Sequence, residues 1–121
     1  MLQTRIATAA DVTAYYGHPS HETLKAYVAI LGGECVGLVG IARAGANTRF
    51  FSDFKPELRP YIGGPSVMRA VLRALKWVQE SKVPVITIAT PDEPNAEVII
   101  RKLGFVHYAP SEHGEVYVWP R

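Results

Sequence analysis

The sequence predicts an α/β fold, a mixed β-sheet with helices on both faces and the element order β-α-β-β-β-α-β-α-β-β. Three observations carry this. Two β-rich runs flank a Gly-Gly turn, Lys25 to Leu31 (KAYVAIL) and Cys35 to Ala42 (CVGLVGIA), which is the pattern of a β-hairpin. A long amphipathic stretch, Pro65 to Ser81, places Val67, Ala70, Val71, Ala74, Leu75 and Val78 at three- and four-residue spacing, the stripe of a surface helix. It is followed by a short β-branched run, Val85 to Ala89 (VITIA), as expected of a strand buried on both faces. A strand, a helix and a further strand in that order imply a right-handed crossover if the strands are parallel.

The remaining elements follow in order. Leu2 to Ala7 alternates apolar and polar residues, a first strand. Asp11 can cap a short helix over Val12 to Tyr16 that stops at Gly17. His18 to Thr23 (HPSHET) reads as a polar loop. Gly37 and Gly40, inside the second hairpin strand, predict a bulge or a close backbone approach. Ala44 to Thr48 is a turn and Arg49 to Phe54 (RFFSDF) a third strand. Lys55 to Gly64, with two prolines and two glycines, reads as a loop. Ala96, Ile99, Ile100 and Leu103 form the inward face of a second helix that starts near Glu93 to Asn95, because Pro94 lacks the N–H an earlier start would need, and ends at Gly104. Phe105 to Ala109 and Glu115 to Trp119 are two last strands.

Composition narrows the class. At 121 residues the chain is expected to form a single domain with one contiguous core. A net charge of +2, from 13 basic and 11 acidic residues, argues against a duplex nucleic-acid binder. The single cysteine, Cys35, cannot form an internal disulfide and fits a reducing compartment. With no apolar run of membrane length and no signal peptide, the expectation is a cytoplasmic protein.

The strongest anion-binding candidate is the turn before the long helix. Gly63 and Gly64 allow close backbone approach, and the helix start at Pro65 or Ser66 offers free N–H groups and the positive end of a dipole. Arg59 can add a charge-assisted contact. The plainer reading of Gly-Gly-Pro-Ser is a loop and a cap. His18, His21 and Glu22 form H-x-x-H-E, but on a proline-containing loop without a third ligand, so no metal is expected.

Two stretches resemble the GNAT N-acetyltransferase superfamily. Phe54-Lys55-Pro56-Glu57-Leu58-Arg59 is similar to that family's V-x-P-E-x-R pattern ahead of its pyrophosphate loop. Ala96 to Phe105 (AEVIIRKLGF) is similar to its A-x-x-x-Y-x-K-x-G-F helix and turn. The Pro-Glu-Leu-Arg-Pro phrase also resembles short phage-encoded members. The resemblance implies acetyl-coenzyme A as donor, its pantetheine arm lying in a splay between the strand ending at Phe54 and the strand Val85 to Ala89. The pyrophosphate would rest on Arg59, Gly63, Gly64, Ser66 and Val67, with Arg69 near the 3′-phosphate. An amine acceptor would attack the thioester directly. This sequence has Pro60 where the family's loop has its first glycine, and Ile100 where the family has its tyrosine acid. Asp53, entering the splay, is then the candidate base, and Tyr108, after the Gly-Phe turn, the candidate acid. The plainer readings are a solvated strand-end carboxylate and a half-buried strand tyrosine. The alternative function is a catalytically degenerate binding or structural module on the same fold, for example a phage accessory protein. Edge strands at the hairpin and at the C-terminus are candidates for pairing in a homodimer.

Overall fold

The structure, a computed structural model, describes residues 1–93 and 95–120. Its elements run β1 (Leu2–Ile6), α1 (Ala9–Tyr16), β2 (Thr23–Leu31), β3 (Glu34–Ala44), β4 (Asn47–Phe54), a 3-10 helix (Pro56–Tyr61), α2 (Pro65–Glu80), β5 (Val85–Ala89), α3 (Ala96–Leu103), β6 (Val106–Ser111) and β7 (Gly114–Val118). The predicted order holds, with the 3-10 helix added where a loop was expected. Pro56 sits at the start of that helix, where its fixed φ and missing N–H cost nothing. Pro94, on which the expected start of α3 turned, lies outside the described residues; α3 begins at Ala96, with Asn95 in the capping position.

All seven strands form one mixed sheet in the order β1-β2-β3-β4-β5-β7-β6. Neighbours are antiparallel except for β4 and β5, which are parallel. The free edges are β1 and β6. The hairpin expected to offer an edge is interior, because β1 pairs along β2 from Leu2↔Leu31 to Ile6↔Tyr27.

Neighbouring residues on one strand enter different clusters, and this assigns the helices to faces. Val39 and Phe50 pack with Ala70, Ala74, Leu75 and Val78 of α2 and Ile100 of α3. Leu38 and Phe51, next to them in sequence, pack with Tyr15 and Tyr16 of α1. Helices therefore cover both faces, as strand alternation requires. On α3 the inward stripe is Ala96, Ile100 and Leu103. Ile99, expected inside, is 46% exposed at the margin of that stripe.

Two other local features differ from expectation. α1 begins at Ala9 because Thr8, not Asp11, is its cap: the Thr8 hydroxyl accepts from the Asp11 N–H, and the Asp11 carboxylate accepts from the Thr8 N–H at 2.8 Å. This reciprocal pair is a capping box. Asp11 is also held by both terminal nitrogens of Arg5 from β1. In the β2–β3 hairpin, Gly32 and Gly33 both take left-handed φ, 59° and 84°, the requirement of a two-residue turn matched to strand twist.

The expected bulge and close approach are both present, at neighbouring places. Ala29 pairs with Gly37 and Ile30 with Cys35, leaving Val36 as the extra residue. Val36 packs with Ala29 and with Leu58 of the 3-10 helix, and its carbonyl accepts from the Lys55 N–H at 2.8 Å. The bulge thus anchors the segment leading from β4 to α2. Gly40 marks the close approach: a Cβ there would lie 2.0 Å from the Lys25 carbonyl oxygen.

Candidate functional site

The two central strands part. β4 and β5 share only the pairs Thr48↔Val85 and Arg49↔Ile86. One side-chain bond follows, from the Thr87 hydroxyl to the Phe50 carbonyl at 2.8 Å. Beyond it β4 runs on to Phe54, paired only with β3, and β5 to Ala89, paired only with β7. The facing backbone edges of Phe51–Phe54 and Ile88–Ala89 are left without ladder partners, a wedge-shaped opening in mid-sheet.

The 3-10 helix and the start of α2 follow directly from the β4 side of this opening. Gly64 is the N-cap of α2 and Pro65 its first residue, and no side chain caps the end. Gly64 N–H donates to Tyr61 and Met68 N–H to Gly64. The N–H groups of Gly63, Ser66 and Val67 have no backbone acceptor among the described residues, as geometry dictates for a first helical turn. A Cβ at Gly63 would meet nothing within 4 Å, whereas one at Gly64 would lie 3.1 Å from the Tyr61 carbonyl oxygen. Val67 packs against the Leu58 cluster, so only its backbone is available to a ligand. Arg69 is exposed one turn into α2. Arg59 stacks its guanidinium over the Phe54 ring, 5.3 Å from the centroid. Its Nη2 lies 3.5 Å from Oε1 of Glu93, beyond the end of β5.

Asp53 projects from the last part of β4 onto the face covered by α1. There Tyr16 donates its hydroxyl to Asp53 Oδ2 at 2.5 Å. Oδ1 has no partner among the described residues. Tyr16 packs edge-on against Tyr15, with centroids 4.9 Å apart, and continues into a column of His18 at 6.2 Å and then His21 at 5.9 Å. Burial, then the hydrogen bond to Asp53, pushes the Tyr16 phenol well above its ordinary value; burial and the Asp53 charge push Tyr15 up to about 12. Both are therefore neutral donors at physiological pH. Arg49 pairs with Glu22 at 2.6 Å and lies over Phe51.

The sheet beyond β5 on this same face carries no helix. Ile86, Val118 and Val106 form one cross-strand row, and Ile88, Val116 and Ala109 another. None of the six is fully buried, and Val106 is 51% exposed. On the opposite face Val85, Thr87, Ala89 and Tyr117 are all buried.

The structure therefore brings Phe54, Arg59, Gly63, Gly64, Ser66 and Val67 to one end of the opening and Asp53 to its side. It does not bring Tyr108 there. Tyr108 is the unpaired residue of a bulge in β6, 72% exposed, and β7 lies between β6 and β5. Two strand spacings, roughly 10 Å, separate it from the gap, so its expected role as acid has no geometric support. Ile100 is buried among core residues. Tyr16 was not singled out from the sequence; its only signal was a second tyrosine at the end of a short helix. His18 and His21 stack, and no group of three or more potential metal ligands lies together among the described residues. Cys35 is held as a thiol by burial, 3.9 Å from Asp11.

A mixed sheet opened between two central parallel strands, with the N-terminus of the crossover helix following the opening, is the fold of the GNAT acetyltransferases. Comparison with solved structures bears this out. The structure matches the acetyltransferase of the GNAT family from Streptococcus pneumoniae with a TM-score of 0.63 at 16% identity, over 98% of this chain and 96% of that one. It matches the ribosomal-protein-S18-alanine N-acetyltransferase from Escherichia coli with a TM-score of 0.62 at 15% identity, over 99% and 94%. A third match is the PaiA N-acetyltransferase from Thermoplasma acidophilum in complex with coenzyme A, TM-score 0.61 at 12% identity, over 91% of this chain and 66% of that one. The sequence alone matches no family model and no curated protein.

Proposed function

We propose that the protein transfers an acetyl group from acetyl-coenzyme A to an amine. The observation that carries this is the opening between β4 and β5, bordered by unpaired backbone groups and leading to the free N–H groups of Gly63, Ser66 and Val67. A pantetheine arm carries amide groups able to satisfy such edges, and a pyrophosphate suits a helix N-terminus with a neighbouring arginine. Several structural neighbours were solved with coenzyme A, the PaiA N-acetyltransferase among them.

In this reading the acceptor approaches from the α1 face, over the apolar rows of β5 and β7. The amine nitrogen attacks the thioester carbonyl. The C–N bond forms, the C–S bond breaks, and the sulfur leaves as thiolate and takes a proton from solvent water. Asp53 Oδ1, left free by Tyr16, takes the proton from the amine, directly or through water. The backbone groups of the opening position the carbonyl. Tyr16 holds the carboxylate in place, which makes it a positioning residue. The single thiol Cys35 and a coenzyme A donor both fit a cytoplasmic protein, and no helix among the described residues is long and apolar enough to cross a membrane. Pairing of a second copy along the free β6 edge is the corresponding reading of the oligomeric state, and sedimentation tests it.

Calorimetry with coenzyme A tests the donor site. Saturable binding is expected, and Gly63→Glu should abolish it, because its Cβ enters open space while its carboxylate repels the pyrophosphate. No binding at millimolar coenzyme A overturns the proposal.

A further inference from the structure

We propose that Glu93 sets donor affinity by competing with the donor's pyrophosphate for Arg59. The inference rests on the donor site proposed above and goes beyond it, since it assigns a role to a residue opposite the helix N-terminus.

The geometry is that of a strut across a gap. Arg59 ends the β4 side of the opening, near the C-terminus of the 3-10 helix, and Glu93 follows β5 on the other side. Their side chains meet at 3.5 Å, with Arg59 63% and Glu93 37% exposed. The guanidinium lies over the Phe54 ring, 5.3 Å from its centroid, and from there reaches Glu93 on the far side of the gap. An anion bound at the neighbouring N–H groups of Gly63, Ser66 and Val67 would draw on the same guanidinium. It would also meet the Glu93 carboxylate as a like charge. Glu93 therefore acts twice against an anionic donor, by occupying Arg59 and by repulsion.

The segment around Glu93 does not depend on its carboxylate. The Glu93 N–H donates to the Thr90 carbonyl at 3.2 Å, and the Glu93 carbonyl accepts from Ala96 N–H at 3.0 Å. Both bonds are backbone and persist in Glu93→Gln. Loss of an exposed pair of this kind is not expected to affect folding.

The experiment compares coenzyme A with pantetheine, which lacks the charged groups, on wild type, Glu93→Gln, Arg59→Ala and the double variant. Glu93→Gln should tighten coenzyme A roughly threefold to tenfold, the range expected for one exposed charge interaction plus relief of repulsion. The gain should shrink as salt is raised and should be smaller in the Arg59→Ala background. Pantetheine affinity should not change. Equal affinity of wild type and Glu93→Gln for coenzyme A overturns the inference while leaving the donor site standing. So does a gain that extends to pantetheine. If none of the four proteins binds coenzyme A, both the inference and the donor site are wrong.

Discussion

The hydroxyl of Tyr16 donates to Asp53 Oδ2 at 2.5 Å and ties the end of α1 to the open stretch of β4 across 37 positions of sequence. The bond takes one carboxylate oxygen and leaves the other without a partner among the described residues. It also orients a strand-end side chain that solvent would otherwise let rotate. Replacing Tyr16 by Phe removes the bond and retains the ring, with its packing against Tyr15 and His18. Acetyl transfer from acetyl-coenzyme A to a panel of primary amines should fall about tenfold in kcat/KM, with coenzyme A affinity unchanged. That corresponds to one hydrogen bond to a charged group, about 1.5 kcal/mol. Asp53→Asn should lose about a hundredfold or more. An equal loss of coenzyme A affinity in Tyr16→Phe would mean that the pair supports the fold and not the acceptor side.

The same pair can be followed by tyrosinate absorbance. Tyr15 should ionise near pH 12 and Tyr16 later still, because burial and the Asp53 carboxylate both oppose the phenolate. Asp53→Asn should advance both, Tyr16 the more. A phenol whose folded pKa is raised contributes stability in full below its unfolded value, about 10, and loses it as pH rises through the folded value. Denaturant midpoints should therefore decline between about pH 10 and 12, and more gently in Asp53→Asn.

Asp11 governs the acid side. The hydrogen bonds from Arg5, then that from the Thr8 N–H, hold its carboxyl well below the usual carboxylate range. A depressed carboxyl contributes stability that is complete above its unfolded pKa, about 3.9, and is lost as pH falls toward the folded value. Melting temperature should drop below about pH 4 in the wild type. Asp11→Ala should cost about 1–2 kcal/mol at neutral pH through loss of the capping box and should flatten the acid limb. An unchanged acid limb in Asp11→Ala would assign acid unfolding to other carboxylates.

Gly40 separates backbone crowding from loop tolerance. A methyl group there meets the Lys25 carbonyl oxygen at 2.0 Å and the Ala26 Cα at 2.6 Å. Neither is a flexible side-chain end. Gly40→Ala should destabilise by about 3 kcal/mol or more, whereas Gly63→Ala, with open space around it, should be nearly neutral. Denaturant unfolding of the two variants side by side checks the contrast.

The order of elements was legible because it rests on periodicity, which is local. The stripe of α2, the VITIA run of β5 and the Gly32-Gly33 turn each appear where expected. The residues at the helix end of the opening were legible too, since Arg59, Gly63 and Gly64 sit beside one amphipathic helix in sequence. What was hidden depends on contacts between distant segments. Thr8 is the cap and Asp11 the third residue of the helix, its carboxylate turned back to the Thr8 N–H and to Arg5 on β1. The prolines of Pro56–Tyr61 read as a loop, yet Leu58 seats that segment on the β3 bulge as a 3-10 helix. Tyr108 was placed by its nearness to Gly104 in sequence, whereas sheet order sets it on the outer strand. The Tyr16–Asp53 bond has no local signature at all.

The two-rung junction between β4 and β5 has a consequence for how such a chain can change over time. A ligand in the gap would be offered main-chain amides, a grip indifferent to which side chains flank it. Mutation can then wear away nearly every recognisable letter around the slot while its shape endures. A chain that shares only 12–16% of its residues with three solved acetyltransferases still matches their fold, with TM-scores of 0.61–0.63. The feature shared with those folds is a gap, and a gap leaves little trace in a sequence comparison.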